Sequence, residues 1–293
     1  MKTRIISGIV MAVIVAAFLG LGLYVSPYFI TAFIAIIAAI GCYELLKNAA
    51  KIESRLSVIV ACVYTVLMIA LRDNTLSLLI EEPLMKGIYF EGSKFAYWIA
   101  NIWQLLPTLI TVLYFLFAVI SLLKNHKAFD LSKIVIFTAM PLFLSYAFSC
   151  LGAIINSNNG LFYLLLLLNF SSICDMGAYF VGVTCGKHKL CPEISPKKTV
   201  EGAVGGLAVS LIFSIVIVLL FKMNDKFVST LIFTVPLSIV GILGDLFASI
   251  IKRNADIKDY GALIPGHGGI LDRFDSILLI APVLYLLISL GVL

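Results

Sequence analysis

Long apolar runs restrict what this chain can fold into more than any other feature. Nine can be traced, roughly Ile6 to Tyr24, Pro27 to Leu46, Leu56 to Leu71, Tyr97 to Leu123, Ile134 to Leu151, Leu161 to Val183, Ala203 to Phe221, Phe227 to Phe247 and Ser276 to Leu293. Each approaches or exceeds the roughly 20 residues a helix needs to cross about 30 Å of hydrocarbon. With 61% hydrophobic residues among 293 and a mean hydropathy of +1.10, a soluble globular domain is excluded. The expected fold class is an all-α integral membrane protein, a polytopic bundle of about nine transmembrane helices. The third and fifth runs are the shortest, so a count of eight stays open.

The first run follows Lys2 and Arg4, as a signal peptide would, but no small-residue cleavage site stands out before Pro27, and a retained helix is expected. Basic residues set the orientation. With nine spans and the N-terminus inside, 16 of the 21 lysines and arginines fall on inner segments, leaving Arg72, Lys86, Lys94, Lys222 and Lys226 outside. That bias predicts a cytoplasmic N-terminus and a C-terminus outside. The net charge of +5 then belongs to cytoplasmic loops near anionic headgroups, worth roughly 1 kcal/mol per basic residue close to the surface. No soluble basic patch with interleaved aromatics exists, so no nucleic-acid partner is expected. The six cysteines imply no disulfide framework. Cys185, His188 and Cys191 are spaced like metal ligands, but a fourth is missing, and free thiols are expected rather than zinc.

Residues 1–160 read as N-terminal scaffold helices with little polar content, and the outer loop from Arg72 to Ala96 as a surface excursion without catalytic pattern. Pro107 and Pro141 fall inside or near the start of apolar runs, where neighbouring helices can satisfy freed carbonyls. Character changes in residues 161–293, read as the catalytic region. Asn169, Ser171, Ser172 and Asp175 interrupt the sixth run; a carboxylate there costs about 2.5 to 3.5 kcal/mol on insertion scales, so Asp175 should face a polar cavity or a partner. Helical spacing would put Ser171, Ser172 and Asp175 on one face. The following loop holds Gly186, Lys187, Ser195, Pro196, Lys197, Lys198, Thr199, Glu201 and Gly202. Its hydroxyls and lysines could grip phosphates at a helix N-terminus; equally, it could be an ordinary positive loop with Thr199 as helix cap.

The most polar stretch is Ser249 to Asp275, SIIKRNADIKDYGALIPGHGGILDRFD, with eight charged residues in 27. A basic pair is followed by Lys258-Asp259, a Pro265-Gly266-His267-Gly268-Gly269 turn, then Asp272, Arg273 and Asp275 leading into the last apolar run. Glycines admit close backbone approach, and successive N–H groups make an anion cradle. Carboxylates with room for water suit Mg²⁺, which takes one or two protein carboxylates plus phosphate oxygens. Basic side chains would neutralise the rest of a polyphosphate. If the eighth helix continues, Asp245, Ser249 and Lys252 share one face.

This stretch closely resembles the signature of the phosphatidate cytidylyltransferase (CDP-diacylglycerol synthase) family: Ser with two residues between it and Lys-Arg, Lys-Asp, Pro-x-His-Gly-Gly, then Asp-Arg-x-Asp. Asp175 to Gly182 and the Gly186 to Gly206 loop resemble a second block of the same family. The resemblance covers roughly Asn169 to Ser276. It implies transfer of CMP from CTP to phosphatidic acid, giving CDP-diacylglycerol and pyrophosphate in phospholipid biosynthesis. The phosphatidate oxygen would attack the α-phosphorus of CTP in line; already an anion, it needs no general base, and positioning with charge neutralisation carries the reaction.

By resemblance and geometry, Lys198, Lys252, Arg253, Asp272 and Arg273 are the expected catalytic residues. Asp175, Ser195, Lys197, Thr199, Ser249, Lys258, Asp259, His267, Gly268, Gly269 and Asp275 are expected to bind substrate. Asp245 and Asp272 would hold Mg²⁺, with a second cation open. The expected partners are CTP, phosphatidic acid in the bilayer and membrane lipids, with a homodimer implied by the family. The expected location is the cell membrane with the active site on its cytoplasmic side. Two alternatives stand beside this: a CTP-dependent lipid kinase, and a transporter whose polar path runs by Asn169 and Asp175.

Overall fold

The computed structural model describes residues 2–72, 94–124, 131–266 and 268–293; nearly all of the expected outer loop after Arg72, Lys127 and His267 lie outside the described residues. In chain order come α1 (Lys2–Tyr24), α2 (Tyr28–Glu44) with a π-helical turn (Leu45–Ala49), α3 (Arg55–Arg72), α4 (Lys94–Lys124), α5 (Leu131–Ile155) and α6 (Gly160–Leu168) with a second π-helical turn (Asn169–Ile173). There follow α7 (Cys174–Cys185), strands β1 (Lys189–Cys191) and β2 (Ser195–Thr199), α8 (Val200–Phe221), α9 (Phe227–Asn254) and α10 (Leu271–Ser289). Among the described residues, seven helical stretches are long and apolar enough to cross a membrane: Tyr28–Ala49, Arg55–Arg72, Leu105–Lys124, Lys133–Ile155, Gly160–Cys185, Val200–Phe221 and Asn224–Asn254. The protein is an all-α membrane protein. A shorter apolar segment, Val13–Gly22, lies in α1, and α10 carries Asp272, Arg273 and Asp275 in its opening turns.

The chain forms two compact units, Met1–Ala153 with Tyr260–Leu271, and Ile154–Asp259 with Asp272–Leu293. In the first, α1 packs on α2, α2 on α3 and α3 on α4. Ala38, Cys42 and Ala61 are completely buried, and small residues of this kind let membrane helices approach closely. Pro141 inside α5 has no N–H for the carbonyl of Phe137 one turn back. The Tyr114 hydroxyl donates to that carbonyl at 2.5 Å, so a neighbouring helix satisfies the freed acceptor, as expected from the bilayer's lack of water.

In the second unit α7 lies along α8, and the contact is built on glycine. A Cβ on Gly202 would sit 2.6 Å from the Ala178 carbonyl, and one on Gly206 2.5 Å from that of Cys174. Backbone thus touches backbone, the usual use of small residues four apart in membrane helices. Further along, Asn169 Nδ2 donates to the Ser210 carbonyl and to Ser214 Oγ, both at 2.9 Å. Ser214 meets Thr234 at 2.7 Å and Ser210 meets Ser238 at 2.9 Å. All five side chains are completely buried, so Asn169 acts in a polar ladder joining the π-helical turn to α8 and α9. The π-helical turn also separates Ser171 from Asp175: Ser171 is buried and bonds back to the Leu167 carbonyl at 3.0 Å, whereas Asp175 lines a cavity. A π turn carries one more residue than an α turn, so the spacing that would have aligned them is broken.

Candidate active site

The site in the second unit starts where β2 becomes α8. Antiparallel β1 and β2 pair Lys189 with Thr199 and Cys191 with Ser195, with an irregularity between that gives β2 the extra residues. Thr199 closes the strand in extended conformation, and its hydroxyl accepts the Gly202 N–H at 3.1 Å. This is the N-cap arrangement, and it holds the preceding lysines at the start of the helix. Glu201 ties down the other side of the hairpin. Its carboxylate accepts the Lys187 N–H at 3.0 Å and the His188 N–H at 3.1 Å, and meets His188 Nδ1 at 2.6 Å. His188 is therefore engaged with a carboxylate, and Cys185 and Cys191 are free thiols.

Lys197 is exposed at the cavity, and Lys198 turns inward. Its Nζ lies 2.5 Å from Asp245 on α9 and 3.8 Å from Asp175 on α7. The ammonium is buried and makes ion pairs rather than aligned hydrogen bonds with these carboxylates. Asp175, Lys189, Lys197, Lys198 and Asp245 line a cavity of about 630 Å³ whose wall also includes apolar Val183 and Ile242.

The second cluster joins α9 to α10. Lys252, in the last turn of α9 and mostly buried, donates to Asp272 Oδ1 at 2.9 Å and lies 3.8 Å from Asp275 Oδ2. Gly244 makes this approach feasible, since a Cβ there would be 3.0 Å from the Asp275 carbonyl. Asp275 precedes the apolar run beginning at Ser276 and also accepts the Ser276 N–H at 2.8 Å. Burial pushes its carboxyl up to about 7, the adjacent Asp245 adds to the rise, and Lys252 opposes it. Asp275 thus links the clusters: charges run Asp175, Lys198, Asp245, Asp275, Lys252, Asp272. Four carboxyl groups thus meet two ammonium groups.

This donor set fits Mg²⁺. No three His, Cys, Asp or Glu side chains are grouped to hold a metal among the described residues, but Mg²⁺ is commonly held by one or two protein carboxylates and completed by waters and substrate phosphates. Asp245 and Asp272, the carboxylates that the motifs point to for a metal, lie on either side of Asp275, each paired with a lysine, and could supply such ligands. The remaining residues that the motifs point to are more open. Ser195 and Ser249 are half-buried; Arg253, Lys258, Asp259 and Arg273 are exposed, Arg253 donating to the Ile257 carbonyl at 3.4 Å.

The glycine turn belongs to the first unit. Gly266 and Gly268 have φ of 79° and 87°, a left-handed conformation that only glycine adopts freely. The Ile264 N–H closes the turn on the Gly268 carbonyl at 2.9 Å. Gly269 is packed against Glu44. Glu44 and Asn48 are not among the residues the motifs point to. For Glu44 a signal is present: it is an acidic residue inside an apolar span, which is uncommon without a purpose.

The Cytidylyltransferase family matches residues 2–290. A phosphatidate cytidylyltransferase of Bacillus subtilis (strain 168) is 42% identical over 182 residues, 60% of this chain and 67% of that protein. One of Staphylococcus haemolyticus (strain JCSC1435) is 40% identical over 194 residues, 65% of this chain and 71% of that protein. Another, of Staphylococcus saprophyticus, is 48% identical over 131 residues, 45% of this chain and 50% of that protein. With a match that runs almost from end to end, the chain belongs to the cytidylyltransferase family.

Proposed function

We infer that this chain is a phosphatidate cytidylyltransferase, transferring CMP from CTP to phosphatidic acid with release of pyrophosphate. The observation that carries the reading, beside the family match, is the unbroken chain of lysines and carboxylates through Asp175, Lys198, Asp245, Asp275, Lys252 and Asp272. One oxygen of the phosphatidate phosphate bonds to the α-phosphorus of CTP as the bond to the β-phosphate oxygen breaks. No proton has to be removed, so the protein's task is to bring two polyanions together. Lys198, whose ammonium lacks an aligned hydrogen bond, has donors for a phosphate oxygen, and Lys252, Arg253 and Arg273 would offset the remaining charge. Mg²⁺ on Asp245 and Asp272, with Asp275 beside them, would supply further charge neutralisation at the phosphates. Thr199 serves the site by capping α8 and so holding Lys197 and Lys198.

Purified protein with Mg²⁺ and phosphatidate is expected to label lipid from [α-³²P]CTP and to lose that activity when the divalent metal is chelated. Label entering lipid only from the γ position would make the protein a lipid kinase, and no labelled lipid from either would favour a transporter. Against a transporter stands Asn169, which is fully buried in helix packing.

The proposed setting is the cell membrane, with about nine spans, the N-terminus and the site on the cytoplasmic side where CTP is found, and the C-terminus outside. The proposed assembly is a homodimer, on resemblance alone. A thiol placed at Lys226 should react with a membrane-impermeant reagent from outside, and one placed at Lys258 only after the membrane is opened. Labelling of position 258 from outside would overturn both the topology and the cytoplasmic site.

A further inference from the structure

We propose that Glu44 is a positioning residue for nucleotide binding, its carboxylate holding the two ends of the glycine turn, at Gly261 and at residues 269–271, in place. Glu44 is the only charged residue of α2, and it is 4% exposed. Putting a carboxylate in an apolar span is costly enough that such a residue is expected to serve a site.

Here the carboxylate is wrapped by the loop. Oε1 accepts the Ile270 N–H at 3.1 Å and Oε2 the Leu271 N–H at 3.0 Å. The loop's entry is also in contact: a Cβ on Gly261 would collide with Oε1, and one on Gly269 would fall 2.5 Å from Oε2. A side chain at either position would displace the carboxylate, so glycine lets the loop close on it as it stands. One helical turn on, Asn48 Nδ2 donates to the Tyr260 carbonyl at 2.6 Å, with Tyr260 itself buried. Glu44 and Asn48 thus anchor the loop at its exit and its entry. Between the anchors Gly266 and Gly268 take left-handed conformations, which glycine leaves flexible unless the ends are fixed. Leu271, whose N–H the exit anchor holds, is the first residue of α10.

The proposal rests on the reading of this chain as a CTP-using enzyme, in which the glycine turn meets the nucleotide. Glu44→Gln keeps the size of the side chain but replaces an acceptor that faces a backbone N–H with a donor, and removes the charge. We expect KM for CTP to rise about ten- to a hundredfold, the loss of one charge-assisted hydrogen bond with its partner left buried, and KM for phosphatidate to stay near its wild-type value. Equilibrium binding of labelled CTP to the purified protein should weaken in parallel. Glu44→Asp, which keeps the charge at shorter reach, should recover part of the affinity. A loss confined to kcat, or equal rises in both KM values, would show a merely structural role and overturn the proposal. Should Glu44→Gln not yield folded protein, Asn48→Ala is read in the same way, and unchanged CTP binding there overturns it. Wild-type protein that neither binds CTP nor labels lipid would sink the enzyme reading itself; wild-type activity with CTP binding unaltered in the variants would sink only the role of Glu44.

Discussion

Asp272→Asn is expected to lower kcat for CDP-diacylglycerol formation by at least about a hundredfold, the scale seen when one preorganised electrostatic group is removed from a transition-state site. The amide has the size of the carboxylate, so packing at the start of α10 is kept. What is lost is the charge that Lys252 meets at 2.9 Å and that, in our reading, shares Mg²⁺ with Asp245. Breaking a buried ion pair by removing one partner costs about 3–5 kcal/mol when the other is stranded. Here Lys252 keeps Asp275 at 3.8 Å, so the stability loss should fall below that range. Turnover and thermal unfolding measured on the same preparation separate the two effects. Near-normal turnover at saturating Mg²⁺ would remove Asp272 from the site.

Lys198→Met should be as severe for activity and worse for the fold. Asp245 and Asp175 approach the same ammonium from α9 and α7, at 2.5 Å and 3.8 Å. Without it, two carboxylates face each other beside Asp275 with no lysine between them. The stability cost should approach the lower part of the ~3–5 kcal/mol range, because the Asp175 side chain is 43% exposed and water can screen it. Adding Asp245→Asn to Lys198→Met removes the repulsion, so the double variant should melt closer to wild type while remaining inactive. Recovery of turnover by that double variant would mean that Lys198 only balances charge and does not act on substrate.

Much of the site is legible in the sequence. Lys198, Lys252, Asp272 and Asp275 stand in motifs whose composition suits phosphate and metal, Asp245 stands one helical turn before the last of them, and the fold gathers all five in one unit. The shared helical face of Asp245 and Lys252 is readable because α9 runs unbroken to Asn254. The spacing of Ser171 and Asp175 misleads because a π-helical turn lies between them, and π turns have no dependable sequence signal. Thr199 suits either a phosphate ligand or a helix cap by its position; its bond to the Gly202 N–H shows the cap. The role of Glu44 is hidden because the N–H groups it holds are 226 and 227 residues away, so its partners are not visible from spacing.

The sequence by itself determined that this chain is helical and membrane-embedded, and which of its charged residues stand together in motifs. Lipid forces the backbone to hydrogen-bond locally, so long apolar runs have few other options, and charges in such a chain persist only where they serve a site. Tertiary structure alone decided which charge meets which. Lys198 could have paired with Asp175 or Asp245 singly, or Lys252 with Asp245 on the same helix face; the glycine contacts at Gly202, Gly206 and Gly244 set the helix separations that place both lysines between carboxylates. Ion pairs depend steeply on distance in a medium of low dielectric. Their pattern therefore follows from packing, which no local reading of the chain contains.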